Sequence, residues 1–116
     1  PDTIASADDL ALADLSQGKF TASEPLAREA VDFCRKKQPE DWERFRAESL
    51  LGASLAGEKK YAEAEPLLLE GYQGMLARKD RIDVPNRYHL ELAHRWLVQL
   101  YQAWGKPDQA AQWSKK

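Results

Sequence analysis

The sequence predicts an all-α fold in which about three antiparallel helix pairs stack side by side. Two observations carry this prediction. Apolar residues recur at helical spacing along most of the 116-residue chain, and one short motif recurs where one helix ends and the next begins. The strand-favouring residues Val, Ile and Thr are few, and no stretch alternates cleanly between polar and apolar residues. No strand is therefore predicted.

The recurring motif defines the pairs. Residues 18–26 read Gly-Lys-Phe-Thr-Ala-Ser-Glu-Pro-Leu, and residues 59–67 read Lys-Lys-Tyr-Ala-Glu-Ala-Glu-Pro-Leu, an offset of 41 residues. A degenerate third copy begins at Gly105, a further 46 residues along the chain. Self-similarity at such a spacing is typical of repeat proteins, in which each unit packs on its neighbours.

The apolar spacing predicts six helices, which form one domain over residues 1–116. The predicted helices lie near 4–17, 21–37, 40–56, 61–79, 86–104 and 107–115, and the predicted repeats are 4–37, 40–79 and 86–115. Gly105 ends the fifth helix as a left-handed cap would. Pro25 and Pro66 fall near the first turn of a second helix, where a missing N–H costs least. Residues 80–86 are the most loop-like linker.

Composition excludes several kinds of partner. The formal charge is −2, and basic residues are mixed with acidic ones, so nucleic-acid binding is not expected. Cys34 is the single cysteine, which rules out an intramolecular disulfide and a cysteine-rich zinc site. No apolar run approaches the roughly 20 residues that span a bilayer.

The chain begins without Met, so we expect a fragment of a longer protein. Its expected location is cytoplasmic, or extracytoplasmic if the parent protein has a membrane span.

Leu51-Gly52, Tyr61 and Ala64 resemble the core signature of the tetratricopeptide repeat. The resemblance implies a right-handed α-α superhelix and a non-catalytic protein-interaction module. Residues 59–69 resemble the longer repeats of kinesin light chains. Further motifs resemble the C-terminal repeats of planctomycete-type and acidobacterial-type serine/threonine kinases, and they lie at 41–42, 49–52, 70–72, 97–101 and 104–107. The kinase motifs themselves do not occur in this sequence, so any kinase activity would belong to an upstream domain.

The first helix of each pair lines the inner wall of such a stack, and this wall commonly holds a peptide. The alignment of the repeats assigns the wall positions to Arg46, Ser49, Ala53 and Ala56 in the middle unit and to Leu92, Arg95, Gln99 and Gln102 in the last. Two arginines and two glutamines would suit a peptide that carries acidic or amide groups. The alternative is that these residues form ordinary solvated helix faces.

Some members of the family hold the carboxylate of a chaperone tail with an Asn and Lys/Arg clamp. The matching positions in this chain are Asp8, Leu12, Leu50, Leu92 and Trp96. None of them is an Asn, Lys or Arg, so an adaptor for chaperone tails is disfavoured.

The tryptophans, the histidines and Cys34 are candidate site residues. Trp96 and Trp104 follow an apolar stripe at helical spacing, which favours core packing, whereas Trp113 is ambiguous. His89 and His94 are five residues apart and point about 140° away from each other on a helix, which disfavours a metal site. Cys34 is expected to be a small buried residue. No catalytic, cofactor or metal-binding residue is predicted.

The leading hypothesis is a module that binds a protein or a peptide. The structural alternative is a homodimer, because a short stack leaves apolar ends that a second copy could cover. An enzyme is the third hypothesis, which would need a deep pocket with converging acidic or histidine side chains.

Overall fold

The computed structural model describes the backbone of residues 3–115 and the side chains of residues 10–115. Six α-helices follow one another: α1 (Thr3–Ser16), α2 (Phe20–Lys37), α3 (Trp42–Gly57), α4 (Tyr61–Ala77), α5 (Tyr88–Ala103) and α6 (Pro107–Ser114). Two 3₁₀ turns, Lys79–Arg81 and Val84–Asn86, separate α4 from α5. Residues 3–115 contain no strand, and the all-α class predicted from the sequence is confirmed.

The helix bounds differ from the predicted ones by a few residues, and the reasons are local. α3 begins at Trp42 and not at residue 40, because the Asp41 side chain caps the helix by accepting a hydrogen bond from the Glu43 N–H at 3.3 Å. The linker predicted at 80–86 contains both 3₁₀ turns and is anchored between them by Ile82, which is fully buried.

The two prolines lie deeper in their helices than the sequence predicted. Pro25 is the sixth residue of α2 and Pro66 the sixth residue of α4, so both fall in the second turn and not the first. Each ring removes the donor that the carbonyl four residues earlier would use. Those earlier residues, Thr21 and Ala62, are exposed, as are both prolines, so water can satisfy the carbonyls.

Each helix pair is joined by the same turn. The residue after the helix cap is left-handed in all three pairs: Gly18 has φ 76°, Lys59 has φ 68° and Gly105 has φ 78°. In the middle pair the Lys59 N–H donates to the Ala56 carbonyl at 3.0 Å, and the next N–H donates to the Leu55 carbonyl at 2.9 Å. This pattern is a Schellman motif. Glycine occupies the left-handed position in two of the three turns, and lysine occupies it in the middle turn.

Helix α3 is enclosed by the rest of the chain. All eleven residues from Phe45 to Leu55 are buried, because α2 and α4 pack along α3 while α1 and α5 also contact it. The contact with α4 is close: a Cβ at Gly52 would overlap Leu68, and a Cβ at Gly71 would overlap Ser49 and the Phe45 carbonyl. The glycines therefore set the distance between the two helices of the middle pair.

Two buried polar side chains of α3, those of Ser54 and Glu48, form hydrogen bonds with α2. The hydroxyls of Ser54 and Ser23 lie 2.6 Å apart, which joins α3 to α2. The Glu48 carboxylate accepts from Arg44 at 3.0 Å and from Arg35 of α2 at 3.3 Å. Burial raises the pKa of Glu48 above its ordinary value, because desolvation disfavours the charged form.

The two histidines of α5 occupy separate environments. His89 is buried beside Trp42 and Tyr88, with ring centroids 6.0 Å and 4.1 Å away. Burial, and then the charge of Arg46, lower the pKa of His89 to about 4. The Nε2 atom of His94 lies instead 2.6 Å from the Trp113 carbonyl oxygen. Across the described residues, no three His, Cys, Asp or Glu side chains form a group able to hold a metal ion.

We expect Lys59→Gly to stabilise the fold, because a non-glycine residue at positive φ is strained there. The gain should be about 1 kcal/mol in the free energy of unfolding, measured by urea denaturation. Lys36→Gly is the matched control, since Lys36 lies in the α2 helix and its replacement should destabilise by about 1 kcal/mol. A Lys59→Gly protein no more stable than the wild type would contradict the strain argument.

We expect the fold to lose stability as the pH falls from 6.5 to about 4, in part through His89. Its folded pKa is below the unfolded value, so the unfolded chain binds the proton first and gains in population across this window. The contribution should be on the order of 1–2 kcal/mol. His89→Gln should reduce the difference between the unfolding free energies at pH 7 and pH 4.5. Equal slopes for His89→Gln and wild type would refute the assignment.

Candidate functional site

The first helices of the three pairs, α1, α3 and α5, line a shared cavity of about 560 Å³, here named the inner groove. Its lining residues are Leu12, Leu15 and Ser16 of α1, Phe20 of α2, Ala53, Ala56 and Gly57 of α3, and Leu92, Arg95, Trp96, Gln99, Leu100 and Ala103 of α5. The groove thus draws on all three helix pairs.

Small residues form the part of the groove that belongs to α3. Ala53, Ala56 and Gly57 occupy the C-terminal half of that helix, where a larger side chain would fill the cavity. The Phe20 ring lies so close to Gly57 that a Cβ there would overlap it. Leucines of α1 and the Trp96 ring of α5 complete the apolar lining. The groove is therefore concave and mostly apolar, as binding sites commonly are.

The α5 side of the groove carries a guanidinium and an amide, those of Arg95 and Gln99. Among residues 10–115, whose side chains the structure describes, Arg95 is the one charged residue in the lining. Gln99 follows one helical turn later, and both side chains are exposed. A guanidinium next to an amide can bind a carboxylate or an amide of a partner, while the rest of the groove accepts apolar side chains.

The structure places the predicted wall residues in three different environments. Ala53, Arg95 and Gln99 lie together in the inner groove. Arg46 and Ser49 do not line it, which corrects their predicted placement, because both side chains are buried against other parts of the chain. The Arg46 guanidinium stacks over Trp42 at 5.3 Å and lies 3.6 Å from Glu43.

Ser49 is 1% exposed, and its hydroxyl faces Gly71 of α4. Gln102 is exposed on another face of α5 and lines a different cavity, which corrects its placement as well. With one arginine where two were predicted, the groove is less polar than the sequence indicated.

Several groove residues were not predicted as site residues. Trp96 was expected in the core; it packs against the core cluster but also lines the groove. Leu15 of α1 was not predicted as a site residue, and Leu12 was named only as a position that matches the carboxylate clamp. A second apolar series on α5 was the available signal: Leu92, Trp96, Leu100 and Ala103 follow helical spacing beside the core series. Trp104 and Trp113 are partly buried against the core, and Cys34 is fully buried.

Four of the five positions that correspond to the carboxylate clamp carry apolar side chains that the structure describes. Leu12, Leu92 and Trp96 line the groove, and Leu50 is buried in the core. The side chain of Asp8 lies outside the described residues. These positions would meet apolar groups of a partner and not its C-terminal carboxylate.

A second cavity, of about 830 Å³, lies on the other side of α5 and is here named the α4–α5 pocket. Its lining residues are Tyr72, Leu76 and Lys79, then Arg87, Leu90, Glu91, His94, Arg95, Val98, Gln99 and Gln102, and finally Ser114 of α6. Arg95 and Gln99 line both cavities, so they form the ridge that separates them.

None of the described helices is both long and apolar enough to cross a membrane. A family model described as "Tetratricopeptide repeat" matches residues 3–37, which span α1 and α2. Searches of curated proteins and of solved structures gave no match. The family match covers the first helix pair, and two further helix pairs are stacked on it. Tetratricopeptide repeats are generally protein-interaction modules.

Proposed function

We propose that this protein is a non-catalytic module whose inner groove binds a segment of a protein or peptide partner. The observation that carries the proposal is the composition of the groove: an apolar cavity shared by α1, α3 and α5 with a single guanidinium at its side. The partner segment would place apolar side chains against the small residues of α3. An acidic or amide group of the same segment would meet Arg95 and Gln99.

The two sides of the groove supply the contacts that such a segment needs. Leu12 and Leu15 face it from α1, and Trp96 faces it from α5. A tryptophan at the edge of a cavity is a frequent anchor in protein interfaces, because its large ring loses much water-exposed area on binding. The lining offers leucine, alanine and tryptophan side chains and a single cation. This composition favours the binding of a partner segment over acid–base catalysis.

Two narrower roles stay predictions from the sequence. The resemblance to the repeats of bacterial serine/threonine kinases would make this module a scaffold that positions a neighbouring signalling enzyme. The homodimer would instead use the stack to join two copies. Both roles are compatible with a groove that binds protein segments.

We expect peptides selected for binding to depend on two groove positions. Twelve-residue peptides enriched by display against the wild-type chain would be labelled and titrated by fluorescence anisotropy. Arg95→Glu should weaken them about tenfold or more by placing a carboxylate where the guanidinium stood. Ala56→Arg should abolish binding, because a long side chain would occupy the groove.

Matched controls separate the groove from general effects of charge and size. Lys36→Glu repeats the charge reversal on an exposed position of α2, and Ala62→Arg repeats the enlargement on an exposed position of α4. Both should bind like the wild type. Selected peptides that bind all four variants with wild-type affinity would place the interface outside the groove and refute the proposal.

A further inference from the structure

Two glutamate side chains of the middle helix pair meet on one guanidinium. The side chain of Glu48 in α3 is fully buried, whereas that of Glu70 in α4 is 47% exposed. Arg44 donates its Nε–H to Glu48 at 3.0 Å and an Nη2–H to Glu70 at 3.4 Å. An Nη1–H of the same side chain donates to the Pro39 carbonyl at 2.8 Å, so all three nitrogens of the guanidinium are engaged.

The shape of the guanidinium brings the two carboxylates side by side. Its Nε–H and one Nη2–H point in the same direction, and this edge commonly binds both oxygens of a single carboxylate. Here the two donors bind oxygens of two different carboxylates, those of Glu48 and Glu70. Their negative charges therefore repel each other over a short distance.

One oxygen of the buried carboxylate receives no hydrogen bond. The Oε2 atom of Glu48 accepts from Arg44 and, at 3.3 Å, from Arg35 of α2. The Oε1 atom is buried and has no hydrogen-bond partner. Such an oxygen is costly, because it has lost its hydration without gaining a donor. A proton on Oε1 removes this cost, since the resulting hydroxyl can donate to the neighbouring carboxylate.

Three helices bring charged groups to Glu48: Arg35 from α2, Arg44 from α3 and Glu70 from α4. Helices α1 and α5 also contact α3, but no ion pair or hydrogen bond joins Glu48 to a described side chain of either. Burial, and then the hydrogen bond with Glu70, raise the pKa of Glu48 above its ordinary value. Arg44 opposes this rise without cancelling it.

We propose that Glu48 binds a proton on Oε1 and donates it to the Glu70 carboxylate, which makes this pair a pH-sensitive link between α3 and α4. The proton comes from solvent, which reaches the pair through the exposed side chain of Glu70. With the proton bound, the two helices gain a hydrogen bond, and one negative charge instead of two lies against Arg44. The proposal does not depend on a ligand in the inner groove.

Acid strengthens this link. The folded pKa of Glu48 is above the unfolded value of 4.5, so the stabilisation is fully present below that pH and is lost as the pH rises through the folded pKa. The effect is opposite in sign to that of His89, which packs on Trp42 at another side of α3. Acidification therefore stabilises the contact of α3 with α4 while it destabilises the contact of α3 with α5.

The titration of Glu48 in the complete chain tests the link. In ¹³C-labelled protein, the Cδ resonance of Glu48 should titrate with a midpoint above 4.5. Glu70→Gln should lower that midpoint, because the neighbouring charge is gone and the new amide can donate to Oε1. Glu70 is exposed, so the variant should keep the fold. Glu63→Gln, at an exposed position two turns earlier on α4, is the matched control and should leave the midpoint of Glu48 unchanged.

Unfolding free energies give an independent readout. Glu48→Gln replaces the proposed hydroxyl with an amide that can donate to Glu70 while its oxygen accepts from Arg44. Urea denaturation should therefore show a more favourable stability of Glu48→Gln, relative to the wild type, at pH 7 than at about pH 5. If Glu48 were only a charged anchor for its two arginines, this difference would have the opposite sign, because a proton on Glu48 would weaken those contacts.

Each contrary result overturns the proposal. A Glu48 midpoint at or below 4.5 would show that the folded chain does not favour the proton. A midpoint that Glu70→Gln leaves unchanged would show that Glu70 is not the acceptor. A Glu48→Gln protein whose stability relative to the wild type improves as the pH falls would identify the charged anchor. Should Glu48→Gln fail to fold, the titrations of the wild type and of Glu70→Gln decide the question.

Discussion

The enclosure of α3 is the constraint on which the rest of the structure depends. Eleven consecutive buried residues, from Phe45 to Leu55, leave this helix no solvent face over that stretch. Every polar side chain there therefore needs a partner or costs free energy. Glu48 and Ser54 meet that need through α2, and the glycines facing α4 set the spacing of the middle pair. Only the last turns of α3, where alanines replace larger residues, leave space for the inner groove.

The architecture could be predicted because its signals are local. The recurring motif located the turn of each pair, and helical spacing located the helices. The middle turn was located by the repeat and not by its residue type. Lys59 has no intrinsic preference for positive φ, yet it aligns with Gly18. The starts of α2 and α4 were predicted to within one residue, but Pro25 and Pro66 lie in the second turn and not the first, beyond the position at which proline is best tolerated.

The groove could be predicted only in part, because tertiary packing decides which faces reach water. The alignment of the repeats assigned Arg46 and Ser49 to the wall, whereas the packing of neighbouring helices around α3 buries both. Trp96 was assigned to the core because aromatic residues at helical spacing usually pack there. One face of α5 packs on the core and two faces line cavities. The spacing of residues in the sequence does not predict this arrangement.

The position of Arg95 on the ridge of α5 couples the two cavities. Its guanidinium lines both, and a single guanidinium that neutralises a carboxylate on one side is less available to a carboxylate on the other. Two acidic ligands would then antagonise each other although they never touch. Thermodynamic linkage makes that antagonism reciprocal, so each ligand would reduce the affinity of the other by the same factor. Through this one side chain, binding of one partner would lower the affinity of the protein for the other.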